Sequence, residues 1–180
     1  MRALALAFSL ALACLALAGG GAARPGAIAF KGAAKIKSFD VTKHCGAKSV
    51  NSRLLRVRCV RSGTYAGDPA PATVNFGWTW DLPVNAAGHT TGPATEHATL
   101  IFNFGGAGLL YLSLVGKLSI VGEVTAKRAT AITHGTWKVT KGTAAFVGRH
   151  GKGTYTFKTG RTNSESVFSV AELKLSGSLT

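Results

Sequence analysis

Apolar residues recur at every second position in run after run of this chain, and no stretch of useful length carries the spacing of an amphipathic helix. In Thr73–Leu82, Val74, Phe76, Trp78, Trp80 and Leu82 share one parity, against Thr73, Asn75, Gly77, Thr79 and Asp81 on the other. In Arg53–Arg61, Leu55, Val57 and Cys59 oppose Arg56 and Arg58; in Thr136–Thr140, Trp137 and Val139 oppose Thr136, Lys138 and Thr140. Tyr155 and Phe157 repeat the pattern against Thr154, Thr156 and Lys158. A strand points successive side chains to opposite faces, so each run is a strand with one buried and one wet face. That is the signature of antiparallel sheet.

Strands are also expected over Ala27–Lys31, Lys35–Lys43, His97–Phe104, Leu109–Val115, Lys117–Lys127 and the last run, Glu165–Leu179. Gly46–Ser52, most of Ser62–Ala72 and Pro83–Glu96 read as loops, Gly116 as a turn, and Gly105–Gly108 as a hairpin turn. Slips of parity place bulges between Ile36 and Phe39, at Gly122 and at Ala171–Glu172. Roughly nine to eleven strands follow, with regular turns. The expected fold is all-β, a single antiparallel β-barrel, with a β-sandwich as the alternative.

The stretch Gly135–Thr154 carries a resemblance. It reads strand, glycine turn, short apolar segment bracketed by Gly142 and Gly148, second glycine turn, strand. It resembles the G-x-W-x-V-x-G-G-T-G-x-F-x-G-A-x-G-x-G element of secreted bacterial barrels similar to the allene oxide cyclase and dirigent barrels. Lys141, Ala144 and the pair Arg149-His150 depart from that pattern. The resemblance implies a closed barrel; no cyclase or dirigent catalytic residue falls on a matching position, so it implies no site residue.

Residues 1–23 read as a signal peptide: Arg2 supplies the charge, Ala3–Ala18 an apolar run, and Gly19–Ala23 a small-residue exit. The run falls short of the roughly 20 apolar residues of a spanning helix, so no transmembrane segment is expected after signal removal. Lipidation at Cys14 is an alternative, against which Ala11–Ala13 makes a poor lipobox. Residues 24–180 are then one β-barrel domain, secreted or associated with the cell envelope. In an oxidising compartment the two remaining cysteines, Cys45 and Cys59, are expected to form a disulfide worth on the order of 3 kcal/mol.

Chemistry is thinly marked. The histidines, His44, His89, His97, His134 and His150, show no metal-ligand spacing, so neither metal nor cofactor is expected. Glu123 is a candidate proton carrier, mid-strand among apolar neighbours where burial would raise its pKa; the alternative is an outward Glu paired with a lysine. Charge is the loudest feature: 21 Lys and Arg against 7 acids, a formal net charge of +14. Such a surface attracts polyanions, while export and the lack of any reading motif argue against specific nucleic-acid recognition.

The expected function is an exported, non-enzymatic binding protein. Its ligand is either a small apolar molecule held in the barrel by Phe76, Trp78, Trp80 and Trp137, or an anionic cell-surface polymer. The polymer would lie on Arg53, Arg56, Arg58, Lys138, Lys141, Arg149 and Lys152. The alternative is an isomerase, cyclase or dirigent-like enzyme, which a buried, unpaired carboxylate in a cavity would favour.

Overall fold

In the computed structural model, residues 27–37, 45–87, 89–121, 130–160 and 170–180 are described. They form β1 (Ile28–Lys37), β2 (Cys45–Asn51), β3 (Leu54–Gly67), β4 (Ala72–Pro83), β5 (Ala94–Asn103), β6 (Leu109–Val121), β7 (Thr130–Gly142), β8 (Gly151–Gly160) and β9 (Val170–Leu179). From β3 to β9 each strand pairs antiparallel with the next, β9 pairs with β1, and β1 pairs with β3. The result is a closed eight-stranded antiparallel barrel with β2 as one extra strand outside it. Closure turns on β3, whose 14 residues divide one edge between two partners. Leu54–Cys59 pair with β2, and Gly63–Gly67 pair with β1.

The buried parity of the eight barrel strands faces inward. β4 alternates strictly from Ala72 to Leu82, and β5 from Ala94 to Phe102. Phe30, Tyr65, Phe102 and Trp137 pack at one level, with Phe30 5.3 Å from both Phe102 and Trp137 between ring centroids. Phe104, just before the 3-10 turn Gly105–Ala107, stacks on Phe102, and Phe146 of the 3-10 turn Ala144–Phe146 packs against Phe104 at that end. Phe76, Trp78, Trp80 and Phe157 form a second aromatic group further along the axis. Full burial of a large apolar side chain is worth roughly 1.5–3 kcal/mol, so these rings dominate the hydrophobic stabilisation.

An eight-stranded barrel has room for side chains but little more, and rings this large need bare wall to lie on. The chain supplies it as glycine pairs in register. Trp137 faces Gly153 across β7–β8, and Gly153 faces Gly177 across β8–β9. A Cβ on Gly153 would lie 2.7 Å from the indole, and one on Gly177 would also collide with it. The indole Nε1–H donates to the Thr154 and Ser176 carbonyl oxygens at 3.1 and 3.2 Å. Tyr155 lies in the same way over Gly135 and Gly116, which pair with each other across β6–β7. Tyr65 crosses the Gly32–Gly67 pair at the closing seam.

This device and the backbone pairing together account for the strand boundaries that depart from expectation. Gly116 is no turn: β6 runs unbroken from Leu109 to Val121, and the glycine is bare because Tyr155 covers it. Ser62–Gly67 is strand rather than loop, its glycines belonging to the β1 seam. Gly46–Asn51 is part of β2, held by backbone pairing to β3 although its side chains are exposed. β5 starts at Ala94, which brings Glu96 out of the expected loop and into the wall. β9 has no bulge at Ala171–Glu172, since both neighbours pair with it in unbroken register. The bulges that do occur lie at Ser49/Asn51 of β2 and opposite Tyr111/Leu112 of β6. The signal segment 1–23, Cys14, Phe39, His44, Gly122 and Glu123 lie outside the described residues.

Placing a methyl group on the bare wall tests the arrangement. A Cβ at Gly116 would come within 2.6 Å of both Thr133 Cγ2 and Tyr155 Oη, whereas one at Gly106 meets nothing within 4 Å. Gly116→Ala is expected to lose about 1–3 kcal/mol in urea unfolding, and Gly106→Ala to stay within about 0.5 kcal/mol of the parent.

Candidate functional site

Among the described residues, three places hold groups able to do chemistry: a carboxylate inside the barrel, a lysine-rich outer face, and an arginine side on β3.

Glu96 is fully buried. Its register row runs Trp80, Glu96, Gly116, Gly135, Tyr155 across β4 to β8. Neighbouring strands lie about 4.8 Å apart, so Glu96 and Tyr155 sit three strand spacings apart along the wall. Both positions between them are glycine, so the two side chains meet over bare backbone. Tyr155 Oη donates to Glu96 Oε1 at 2.8 Å; Trp80 Nε1–H and Thr133 Oγ1–H donate to Oε2 at 2.5 and 2.9 Å. Burial pushes the Glu96 carboxyl above its ordinary pKa, against the smaller pull of these three donors and of the His97 charge. Burial and the adjacent carboxylate push the Tyr155 phenol far upward, which keeps its proton in place as a donor.

This carboxylate is buried but not unpaired. Four of its hydrogen-bonding directions face protein, and three are filled by donors from three other strands, so it ties the wall together across the interior. Sequence reading missed it because Pro93 and Gly92 suggested a loop reaching to Glu96. Counting back by twos from Phe102, Leu100 and Ala98 would have put Glu96 on the inward face.

The four expected ligand rings, Phe76, Trp78, Trp80 and Trp137, are all inward and at most 2% exposed. Phe76, Trp78 and Trp80 adjoin one another, at 5.1 and 6.0 Å between successive centroids. Trp137 is packed on Phe30 in the other aromatic group. Among the described residues the Trp78 indole N–H and the Thr159 hydroxyl are buried without a hydrogen-bond partner. Arg61 also faces inward, and burial lowers its pKa.

The seven expected polyanion-binding residues separate into groups. Lys138 and Lys152 are direct cross-strand partners on the exposed face of β7 and β8. Like charges directly opposite repel, and among the described residues no acid pairs with either lysine. The flanking register partners are Ser113 and Ser178, and the adjacent row is Thr136, Thr154 and Ser176. All of these but Ser176 line a shallow depression together with Val115. Glu172 is the only acid in β6 to β9 and β1, and it is already beside Lys174 at 3.7 Å. Lys141 lies at the end of β7, its Nζ 5.8 Å from the Tyr111 ring centroid. Arg149 is half-buried in the turn before β8.

Arg53, Arg56 and Arg58 stand on the opposite side of the barrel. Arg56 grips Asp81 with two hydrogen bonds of 2.6 and 2.8 Å, which holds the Asp81 carboxyl below its usual range and raises the guanidinium. Cys45 and Cys59 are direct register partners across β2–β3. Among the described residues no group of three or more His, Cys, Asp or Glu converges on a metal position, and no helix is long and apolar enough to cross a membrane.

No protein-family profile, no curated protein and no solved structure matches the chain.

The Glu96 site makes a pH prediction. Its folded-state pKa lies above the unfolded value of about 4.3, so its contribution to stability is complete below about pH 4 and is lost as pH rises through the folded pKa. Urea unfolding from pH 4 upward should therefore show the parent losing stability, while Glu96→Gln, which keeps an acceptor for Trp80 and Thr133, has a flatter profile. Parallel profiles for the two proteins would contradict this placement of the carboxyl.

Proposed function

We propose that this protein is an exported, non-enzymatic binding protein that holds an anionic cell-surface polymer on the outer face of β6 to β9. The observation that carries the reading is the Lys138–Lys152 pair. Two ammonium groups directly opposed on an exposed sheet cost stability, and a bound anion between them turns that repulsion into attraction. Ser and Thr rows on either side offer hydroxyls to the same ligand. The scarcity of acids on these strands extends the positive field over the whole face.

Related readings belong to the same proposal. We take the barrel to be similar to the allene oxide cyclase and dirigent barrels, supported by its closed eight-stranded meander and by the Gly142–Gly148 turn that carries Phe146. We take Cys45 and Cys59 to be disulfide-bonded, since directly paired antiparallel residues have Cα atoms about 4.5–5.5 Å apart, within the range a disulfide spans. The intact protein should then gain the mass of two hydrogens on reduction. An enzyme reading gains no support from Glu96, which is sealed from solvent and engaged by three donors.

A second reading has one observation in its favour. The Trp78 indole N–H and the Thr159 hydroxyl are each buried with no hydrogen-bond partner among the described residues, and a small ligand or a buried water would satisfy either. Native mass spectrometry of protein from its own host separates these: a co-purifying small molecule supports the interior ligand.

Polymer binding is tested with long-chain polyphosphate and polygalacturonate at low ionic strength. Affinity should fall steeply between about 50 and 200 mM salt. The double variant Lys138→Gln/Lys152→Gln should bind more weakly and with a shallower salt dependence, each lost contact removing about 0.7–0.9 from the log–log slope. Absence of binding at low salt, or binding insensitive to salt, contradicts the proposal.

A further inference from the structure

The in-strand glycines of this barrel divide into two kinds. Most are bare because something of this chain lies on them: an indole over Gly153 and Gly177, phenol rings over Gly116, Gly135 and Gly32. Gly77 is different. It sits in the middle of β4 on the outward parity, and a Cβ there would meet nothing closer than Val60 Cγ2 at 3.8 Å and the Cys59 carbonyl oxygen at 3.9 Å. Nothing in the fold uses its bareness. A glycine in a strand interior weakens the strand, and where packing does not require it, it marks a place where a ligand approaches the backbone.

The surroundings of Gly77 form a concavity whose walls are Arg58, Val60, Thr79, His97 and Thr99. Arg58, Thr79 and His97 form one register row across β3, β4 and β5. Val60, Gly77, Thr99 and Ser113 form the next. A guanidinium and an imidazole thus flank the dent on one side. Two hydroxyls and a half-exposed Val60 side chain stand on the other. Arg56, two residues before Arg58, is occupied by Asp81, whereas Arg58 has no ion-pair partner among the described residues. A second glycine, Gly46, is the β2 register partner of Arg58, and among the described residues a Cβ there would also meet nothing within 4 Å. Arg58 therefore has a bare partner in Gly46 on β2 and lies diagonal to the bare Gly77 on β4, where its direct partner is Thr79.

We infer that this concavity, floored by Gly77 and headed by Arg58, is a binding site for a small carboxylate-bearing molecule. Its carboxylate pairs with the Arg58 fork, which matches the planar geometry of that group. Its body lies on the Gly77 backbone against Val60, and hydroxyl groups on it meet Thr79, Thr99, Ser113 and His97. The site is centred on β3 to β5 and reaches the lysine face only at Ser113, the β6 register partner of Lys138; it does not depend on the polymer reading.

Titration of the isotopically labelled protein with D-galacturonate, followed by amide and arginine Nε NMR signals, tests it. Saturable shifts are expected at Gly77, Thr79, His97 and the Arg58 side chain, with Lys138 and Lys152 unmoved. Gly77→Val puts a side chain into open space and is expected to melt at or above the parent temperature while abolishing those shifts. Arg58→Gln should weaken binding about 10-fold or more, as loss of a charge-assisted hydrogen bond does. Inorganic phosphate serves as the comparison: equal saturation by phosphate overturns the carboxylate assignment. No saturable shift with galacturonate, or undiminished binding by a folded Gly77→Val protein, overturns the site.

Discussion

An aromatic ring lying across two glycines paired in register is the contact on which this barrel depends. Trp137 covers Gly153 and Gly177; Tyr155 covers Gly135 and Gly116; Tyr65 covers the seam pair Gly32 and Gly67. The geometry follows from the size of the enclosure. Eight strands leave an interior one side chain deep, and a large ring cannot stand upright there without meeting the ring from the opposite wall. Lying down, it needs neighbours without a Cβ. The glycines give up conformational order in the strand, and the covering ring restores the lost packing. Trp137 and Tyr155 each span three strands and Tyr65 bridges β3 and β1, so these rings also link parts of the wall that backbone pairing alone would leave to slide.

Glu96 extends the same logic into polar chemistry. Tyr155 lies over its glycines and ends on a carboxylate that also accepts from Trp80 and Thr133. A buried carboxylate is costly unless its oxygens are engaged. Here the donors come from β4, β7 and β8, so the charge cross-braces half the barrel. The interior thus serves architecture. The proposed ligand recognition is assigned to the outward parity, where Lys138, Lys152 and Arg58 carry charges with no acidic partner among the described residues.

Much of this was legible in the residues. The alternation in Thr73–Leu82 predicted β4 and its inward rings, and the Gly105–Gly108 turn and the Trp137–Val139 face stand as read. What parity could not distinguish was the purpose of a glycine. Gly116 and Gly63 look like turns because turns are where isolated glycines usually occur. Their role becomes visible only when Tyr155 and the closing strand, distant in sequence, are brought beside them. Glu96 was hidden for a related reason: Gly92-Pro93 marks a loop, and the position where a loop becomes a strand is set by pairing with β4 and β6 rather than by local composition. The outer face was readable as charge but not as geometry, since only register reveals that Lys138 faces Lys152 and that Arg56, unlike Arg58, is taken by Asp81.

The central claim is that the interior is closed architecture and that recognition happens outside. Hydrogen exchange of the Trp80 indole N–H, followed by NMR with and without a saturating anionic polymer, tests it most directly. This account predicts exchange far slower than that of an exposed indole and an unmoved Trp80 signal when polymer is bound, because that proton is held by Glu96 in a sealed interior. Rapid exchange, or a shift of the Trp80 signal on binding, would show that ligand or solvent reaches the barrel interior and would contradict it.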